Sequence, residues 1–498
     1  MDPKIQKWVQ EDIMTPDGVL KFFAERFAEN DFTDAEKHQL RRTFDLLSQD
    51  GMLHDLRFEA HLQKKVLLPS SLEDAGPILY RSLLYLSQFP FDQKPVSSLT
   101  FDGLVRALSW ADMEKSFKAT GGGSFTRAKS PADCRRIIFQ SLATTRDGKK
   151  LPFDVETARK ESERRAFEFY PHQEEWLAGE VKTNNDEDGD EMFHDYLDIL
   201  FEVQDTELGY APLGRDEFRP LAQQFHGKDS YLHHLTIPQD QFRLFVQLLV
   251  LGCFGRSVTP IEEMPELDHV VDLILAPFLQ NPNIGITWDV FDRASKDMPG
   301  LFDGLTRLLS RLFYTPPNDR GPLPKPGSIG TLPILSQIAF CGWDAEEALC
   351  FPPKSYNASS PITASALKDQ ITASPTPLVL LVSGKRVTTG ENVIFGYCLP
   401  YSVPGEPHPS FLFQLGPTYD VFRARDIDRP RCLKEGDSLI LGESGNGVAV
   451  KFNRDCSHVT VSHRVSGQNS PAYAATESRG DWEAAVDVDG IEIWSEVS

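Results

Sequence analysis

Cysteine is sparse in this chain of 498 residues, and basic charge is scarcer than acidic. The seven cysteines, at 134, 253, 341, 350, 398, 432 and 456, form no CxxC pair and follow no regular spacing. That excludes a disulfide framework and leaves reduced thiols of the kind a cytosolic protein carries. A spanning run is missing as well. The longest apolar stretch, Phe242 to Phe254, is broken by Arg243 and Gln247 and falls short of the roughly 20 residues a membrane helix needs. The first residues, MDPKIQKW, hold no apolar segment of a secretory leader, and Asp2 stands where an N-myristoyl acceptor would be glycine. Direct membrane insertion is not expected. With 51 Lys and Arg against 73 Asp and Glu, the formal net charge of −22 repels polyphosphate, so nucleic acid is not an expected partner. The one basic cluster, Arg423, Arg425, Arg429 and Arg431, alternates with Asp420, Asp426 and Asp428 and reads as a solvated loop.

What the first two thirds do have is a helical period. Thr33-x-x-Glu36 has the form of a capping box and opens a stretch with Leu40, Phe44 and Leu47 on one face. The loop Ser48-Gln49-Asp50-Gly51 follows, then a second pattern of Leu53, Leu56, Phe58 and Leu62. Helix, Asp-Gly loop, apolar residue and helix is the layout of an EF-hand. Two segments repeat its exit side: Leu99-Thr100-Phe101-Asp102 aligns with Ile286-Thr287-Trp288-Asp289, each an apolar residue followed by a threonine cap, an aromatic and an aspartate. The residues Asp240 to Leu251 suit a buried helix, and Leu301, Leu305, Leu308 and Leu312 form a helical stripe.

Calcium ligands are absent from these loops. With Asp50 and Gly51 at positions five and six, Leu46 takes position one and Arg57 position twelve, where the ion needs carboxylates. The loop around Gln88 to Asp92 has a single carboxylate. Both read as degenerate EF-hands kept for packing, and no cofactor is expected. One acidic stretch comes nearer the motif: Asn184, Asp186, Asp188 and Gly189 fall at positions one, three, five and six, with Asp195 at twelve. Glu191 holds position eight, where an apolar residue should sit, so the run reads first as an acidic linker and second as a calcium loop.

After a Pro- and Gly-dense break the period changes to two. Leu378–Val382, Val393–Tyr397, Phe411–Leu415, Ser438–Leu441, Gly447–Phe452, Val459–Val465 and Gly490–Trp494 are rich in Val, Ile, Phe and Tyr and separated by turn residues, the pattern of a compact antiparallel domain. Catalytic motifs fail their spacing. Gly442-Glu443-Ser444-Gly445 is no G-x-S-x-G elbow and reads as a hairpin turned at Asn446-Gly447. His458 and His463 differ by five and face opposite sides of a strand, and Gly121-Gly122-Gly123 lacks the Gly-Lys-Ser/Thr of a phosphate loop.

The order of these segments, through Phe395-Gly396-Tyr397, Phe411-Leu412-Phe413, the glycines Gly442, Gly445 and Gly447, and Glu492 with Trp494, resembles the TLDc domain of the oxidation-resistance proteins. The resemblance covers residues 326 to 498. Degenerate EF-hand-like helices ahead of such a domain resemble the fungal restriction-of-telomere-capping family. It departs from the usual pattern at Gly342-Trp343-Asp344 and Leu349-Cys350-Phe351, where a Trp-x-Leu-Leu-Tyr strand would stand. The resemblance implies an α+β chain with an antiparallel β-sandwich and flanking helices, here Ile329 to Phe340 and Ser365 to Thr372. It implies no enzymatic activity. It implies binding to peripheral subunits of the vacuolar proton pump, the V-ATPase, regulation of that pump's assembly, and a role in oxidative stress resistance. Location would then be cytoplasmic, or peripheral at the vacuole membrane through the partner. The rival expectation is a calcium-responsive EF-hand adaptor. The expected division is 1–115 degenerate EF-hand-like, 116–195 helical with the acidic loop, 196–314 helical, 315–328 Pro-rich linker and 329–498 TLDc.

Overall fold

The computed structural model describes the chain apart from residues 67, 92–95, 121–129, 146–148, 167–190, 205–212, 227–230, 254–263, 265, 282, 316–324, 343–347, 374–376, 400–401, 404–405, 408–409, 425–431, 444, 467–470 and 496–498. Two compact units emerge. One comprises Met1–Gly255, Pro277–Lys296 and Phe302–Arg320; the other comprises Arg256–Ala276, Asp297–Leu301 and Gly321–Ser498.

The first unit is helical. Thr33 caps the helix Asp34–Leu47 as its sequence predicts: its hydroxyl accepts from Glu36 N, and the Glu36 carboxylate accepts from Thr33 N. The next helix is Asp55–Val66, and between the two Gly51 takes φ +76°, the left-handed turn at position six of an EF loop. Two positions later, Leu53 exchanges both backbone hydrogen bonds with Leu99, at 2.8 and 3.0 Å. This is the short bridge that couples paired EF loops. The aligned Ile286 does the same with Ile237, at 2.9 Å in each direction, and Thr236 pairs onward with Thr144. The near-repeat is therefore a structural one. Its packing follows the apolar period, with Leu40, Phe44, Leu53, Phe58 and Leu62 buried and Trp110 set among Phe23, Phe27 and Phe89. Leu56, counted with the apolar face in the sequence, points to solvent because the helix starts at Asp55 and sets its inward stripe on Phe58 and Leu62.

The second unit is built on one antiparallel sheet. Its strands are β1 (Lys354–Tyr356), β2 (Leu378–Arg386), β3 (Asn392–Leu399), β6 (Phe411–Gly416), β7 (Asp420–Arg423), β8 (Cys432–Glu435), β9 (Ser438–Glu443), β10 (Asn446–Phe452), β11 (His458–Arg464) and β12 (Trp482–Trp494), with a separate two-stranded ribbon of β4 (Ser402–Val403) and β5 (Glu406–Pro407). The order is β7-β6-β3-β2-β12-β11-β10-β9-β8. β12 is the hinge of the design. Its first half pairs with β11, its last residues pair with β1, and β2 runs along Val486 to Trp494 across a bulge between Val488 and Gly490. The sheet curls back on itself, so that Phe422 of β7 meets His463 of β11 at a ring distance of 5.6 Å and Ala424 bridges Tyr473. Leu380, Val382, Phe395, Tyr397 and Leu412 from one half, and Leu439, Leu441, Val450, Val459 and Val461 from the other, share a single core. The alternating pattern predicts the antiparallel pairing, and the curl matches the sandwich that the TLDc resemblance implies.

Two helices flank it. Ala364–Ala373 sends Leu367 and Ile371 into that core. Leu332–Cys341 lies on the opposite face, where Gln337 donates to the Leu415 carbonyl at 3.1 Å, and Leu267–Leu275 packs on this helix. Strand β6 is consequently buried on both faces along its whole length, Gln414 included.

Candidate functional site

In the helical unit the chemistry-bearing residues converge on a buried ionic cluster. Pro131–Leu142 contributes Asp133, Arg135 and Arg136; Val155–Ala166 contributes Arg165; Glu191–Val203 contributes Glu191 and Asp195 one turn apart; and Trp288–Asp297 contributes Asp289 and Asp292. Arg136 donates to Asp133 at 2.7 Å and to Asp195 at 2.6 Å. Arg135 grips Asp292 through Nε and Nη2, at 2.9 and 2.7 Å, and Arg165 binds Glu191 and reaches Asp289 at 2.9 Å. Burial would raise Asp289, but the His233 ring and Arg165 bring its carboxyl down to about 2. At Asp195 burial prevails over Arg136 and the carboxyl shifts upward. Each guanidinium serves two helices or more. The cluster is a clasp between helices, with its carboxylates committed to arginines.

This clasp also locates Asp195, position twelve of the acidic run. It sits inside Glu191–Val203, buried, with Arg136 and Gln140 on its carboxylate. Asn184, Asp186 and Asp188 lie outside the described residues, as do Gly121 to Gly123 and Arg425, Arg429 and Arg431. Leu46 and Arg57, at positions one and twelve of the first EF loop, are both exposed. Among the described residues no group of three His, Cys, Asp or Glu is arranged to hold a metal.

In the C-terminal unit the distinctive residue is Glu492. Its side chain is completely buried, on the face of β12 away from the shared core. Oε1 accepts from Ser328 N at 2.6 Å, Ser328 Oγ at 2.7 Å, Ile329 N at 3.1 Å and Ser355 Oγ at 3.3 Å, while Oε2 accepts from Ile329 N at 3.1 Å and Gly330 N at 3.0 Å. Two residues on, Trp494 donates its indole N–H to the Lys325 carbonyl at 2.9 Å. The strap Lys325–Thr331 is thus pinned at both ends to the last strand. It must be glycine-rich to lie so close: a Cβ on Gly327 would fall 2.3 Å from the Glu492 carboxylate, and one on Gly330 would fall 2.4 Å from the Trp494 ring.

The other signature residues pack rather than react. Gly396 faces Phe413 across the β3–β6 ladder, and a Cβ there would lie 2.1 Å from the Phe413 ring. Phe411 and Phe413 are buried on the outer face, with Arg423 over the Phe411 ring at 5.6 Å. Arg423 belongs to β7 and donates to the Cys341 carbonyl at 2.6 Å, so it is a strand residue and not part of a solvated loop. Gly442 and Gly447 take φ +96° and +65°. Asn446 pairs with Glu443, so Asn446-Gly447 opens strand β10 and is not the turn itself; Gly447 lies at a bulge, where the Tyr473 carbonyl leaves no room for a side chain. His463 is buried, stacked on Trp482, with its two nitrogens taken by the Gly480 carbonyl and Thr476 N, whereas His458 is exposed on the other face.

One arrangement escaped the sequence because its members come from different strands. Ser457 Oγ lies 2.8 Å from His458 Nδ1, and His458 Nε2 lies 2.9 Å from Asp487. It has the outline of a triad but not the environment. The histidine and aspartate are more than half exposed, Ser457 Oγ is also bound to Asp455 at 2.7 Å, and the Ser457 and Val488 amides that could stabilise an oxyanion are engaged with Asp455 and the Ser457 carbonyl. It is a surface polar chain.

Comparison with known proteins agrees with this architecture. Residues 356–497 match the TLDc domain family. The chain is 22% identical to Restriction of telomere capping protein 5 of Leptosphaeria maculans, over 97% of this chain and 89% of that protein. Identity is 22% to the protein of the same name from Colletotrichum graminicola, over 80% of this chain and 72% of the other, and 26% to that from Aspergillus clavatus, over 60% and 46%. The curled sheet that ends in Glu492 and Trp494 is therefore a TLDc domain, carried by a chain similar along its length to the fungal proteins named Restriction of telomere capping protein 5.

Proposed function

We propose that this chain is a non-catalytic TLDc protein whose C-terminal unit docks on the peripheral sector of the V-ATPase and regulates the assembly of that pump, with resistance to oxidative stress as the consequence. The observation that carries the reading is the use made of the signature residues: Glu492, Trp494, Gly396 and Phe413 are spent on holding the sheet and its strap together, which supports a structural platform for a partner rather than a catalytic centre. Its site of action is the cytoplasm and, through its partner, the surface of the vacuole membrane. No helix among the described residues is long and apolar enough to cross a membrane. The relatives' name refers to telomere capping; with a net charge of −22, any such role for this chain would run through proteins rather than through contact with DNA. The calcium-responsive adaptor is the weaker reading, since Leu46 and Arg57 occupy the two positions that most need carboxylates.

The test is recovery of partners by tagged full-length chain from cell lysate, read by mass spectrometry. Peripheral pump subunits among the enriched proteins would support the reading, and their absence under conditions that both preserve and dissociate the pump would reject it.

A further inference from the structure

Ser328 occupies an unusual position. It is exposed, yet its hydroxyl and its backbone N–H both donate to Oε1 of a carboxylate that is fully buried. The amides of Ile329 and Gly330 complete the attachment, so the hold on this stretch of strap is concentrated on one negatively charged group. A device of this kind is strong against thermal fluctuation and weak against a second negative charge. A phosphoryl group on Ser328 would remove the hydroxyl donor, bring close to two units of negative charge beside Glu492, and be too bulky for a site where even a Cβ on Gly327 has no room.

We propose that Ser328 is a phosphorylation site and that the strap Lys325–Thr331 is a latch which this modification opens. A protein kinase would transfer the γ-phosphoryl group of ATP: the bond from Oγ to phosphorus forms as the bond to the bridging oxygen of ADP breaks, and the hydroxyl proton passes to the kinase base. The kinase needs the segment extended, so it captures the strap while undocked, and the phosphoryl group then prevents return. Opening uncovers the Glu492 carboxylate and the edge of the Trp494 indole, whose N–H the strap otherwise occupies through the Lys325 carbonyl. The latch does not depend on which partner the TLDc domain binds.

The experiment uses full-length chain with phosphoserine installed at position 328, compared with unmodified chain and with Ser328→Ala. Amide exchange at Ser328, Ile329 and Gly330 should accelerate roughly a hundredfold in the phosphoprotein, the equivalent of one or two lost hydrogen bonds to a charged acceptor. Ser328→Ala keeps the three amide donors and should stay within about tenfold of the unmodified chain. Unchanged exchange in the phosphoprotein overturns the latch, and acceleration spread through β2, β3 and β12 overturns it equally, because the change would then be unfolding. Chain isolated from the cells that make it must also carry phosphate on Ser328 in some fraction of molecules; its absence across growing, starved and oxidant-treated cells overturns the assignment of the site.

Discussion

A carboxylate taken out of water is destabilising unless donors replace its hydration, and Glu492 is satisfied by groups that sit more than a hundred residues away in the chain. Glu492→Gln turns one acceptor into a donor that faces Ser328 N or Gly330 N. It should lower the stability of the C-terminal unit by about 2–3 kcal/mol, read as the shift in that unit's own urea transition. Asp303 is the opposite case. Burial, with Asp112 and Glu114 nearby and Arg307 only partly compensating, pushes its carboxyl up to about 6. The folded protein therefore holds this proton more tightly than the unfolded chain does. The favourable contribution is complete below about pH 4 and is lost as pH rises through about 6. Asp303→Asn should match the parent at low pH and exceed it by about 1–2 kcal/mol near pH 7, a figure reduced for the partial exposure of the side chain. Urea midpoints measured across that range check the sign.

The EF-hand pairs show how an element can outlive the chemistry it is built around elsewhere. Gly51 still makes the left-handed turn and Leu53 still bridges Leu99, because those features close the loops on each other whether or not an ion is held. Calorimetric titration should detect no micromolar calcium site in the full chain; a site lost on Asp188→Ala would transfer the role to the acidic run. Between the helices, Arg136→Met strips Asp133, Asp195 and Glu191 of a shared counter-charge and should cost about 3–5 kcal/mol in the helical unit's urea transition. These elements were unequally visible in the sequence. Strands with clean alternation, such as Gly447–Phe452 and Val459–Val465, could be read directly. β8 is four residues, half of them charged, and the first half of β12 begins Trp-Glu-Ala-Ala, which has little strand preference of its own; pairing to β11 and β2 makes it a strand. Nothing in the local sequence sets Arg135, Arg136 and Arg165 apart from other charged helix residues. Their acidic partners lie up to 157 residues away, so only the tertiary fold shows that they are buried. Glu492 was visible as a signature residue, but not its strap, for the same reason.

At the scale of the molecule, the signature residues of the TLDc unit hold its sheet and strap together, and the helical unit carries a first EF loop with Leu46 and Arg57 where carboxylates would stand and a clasp of buried ions. On the function proposed above, the C-terminal unit is the part that would meet the partner. The most direct measurement immobilises purified full-length chain and passes the isolated peripheral sector of the V-ATPase over it, alongside Gly396→Val, which forces Phe413 out of its seat and so disturbs the TLDc sheet locally. The account predicts saturable binding with Kd in the micromolar range or tighter, on the order of 8 kcal/mol of binding free energy, weakened at least tenfold by Gly396→Val. No saturable binding of the folded parent chain to the sector would contradict it.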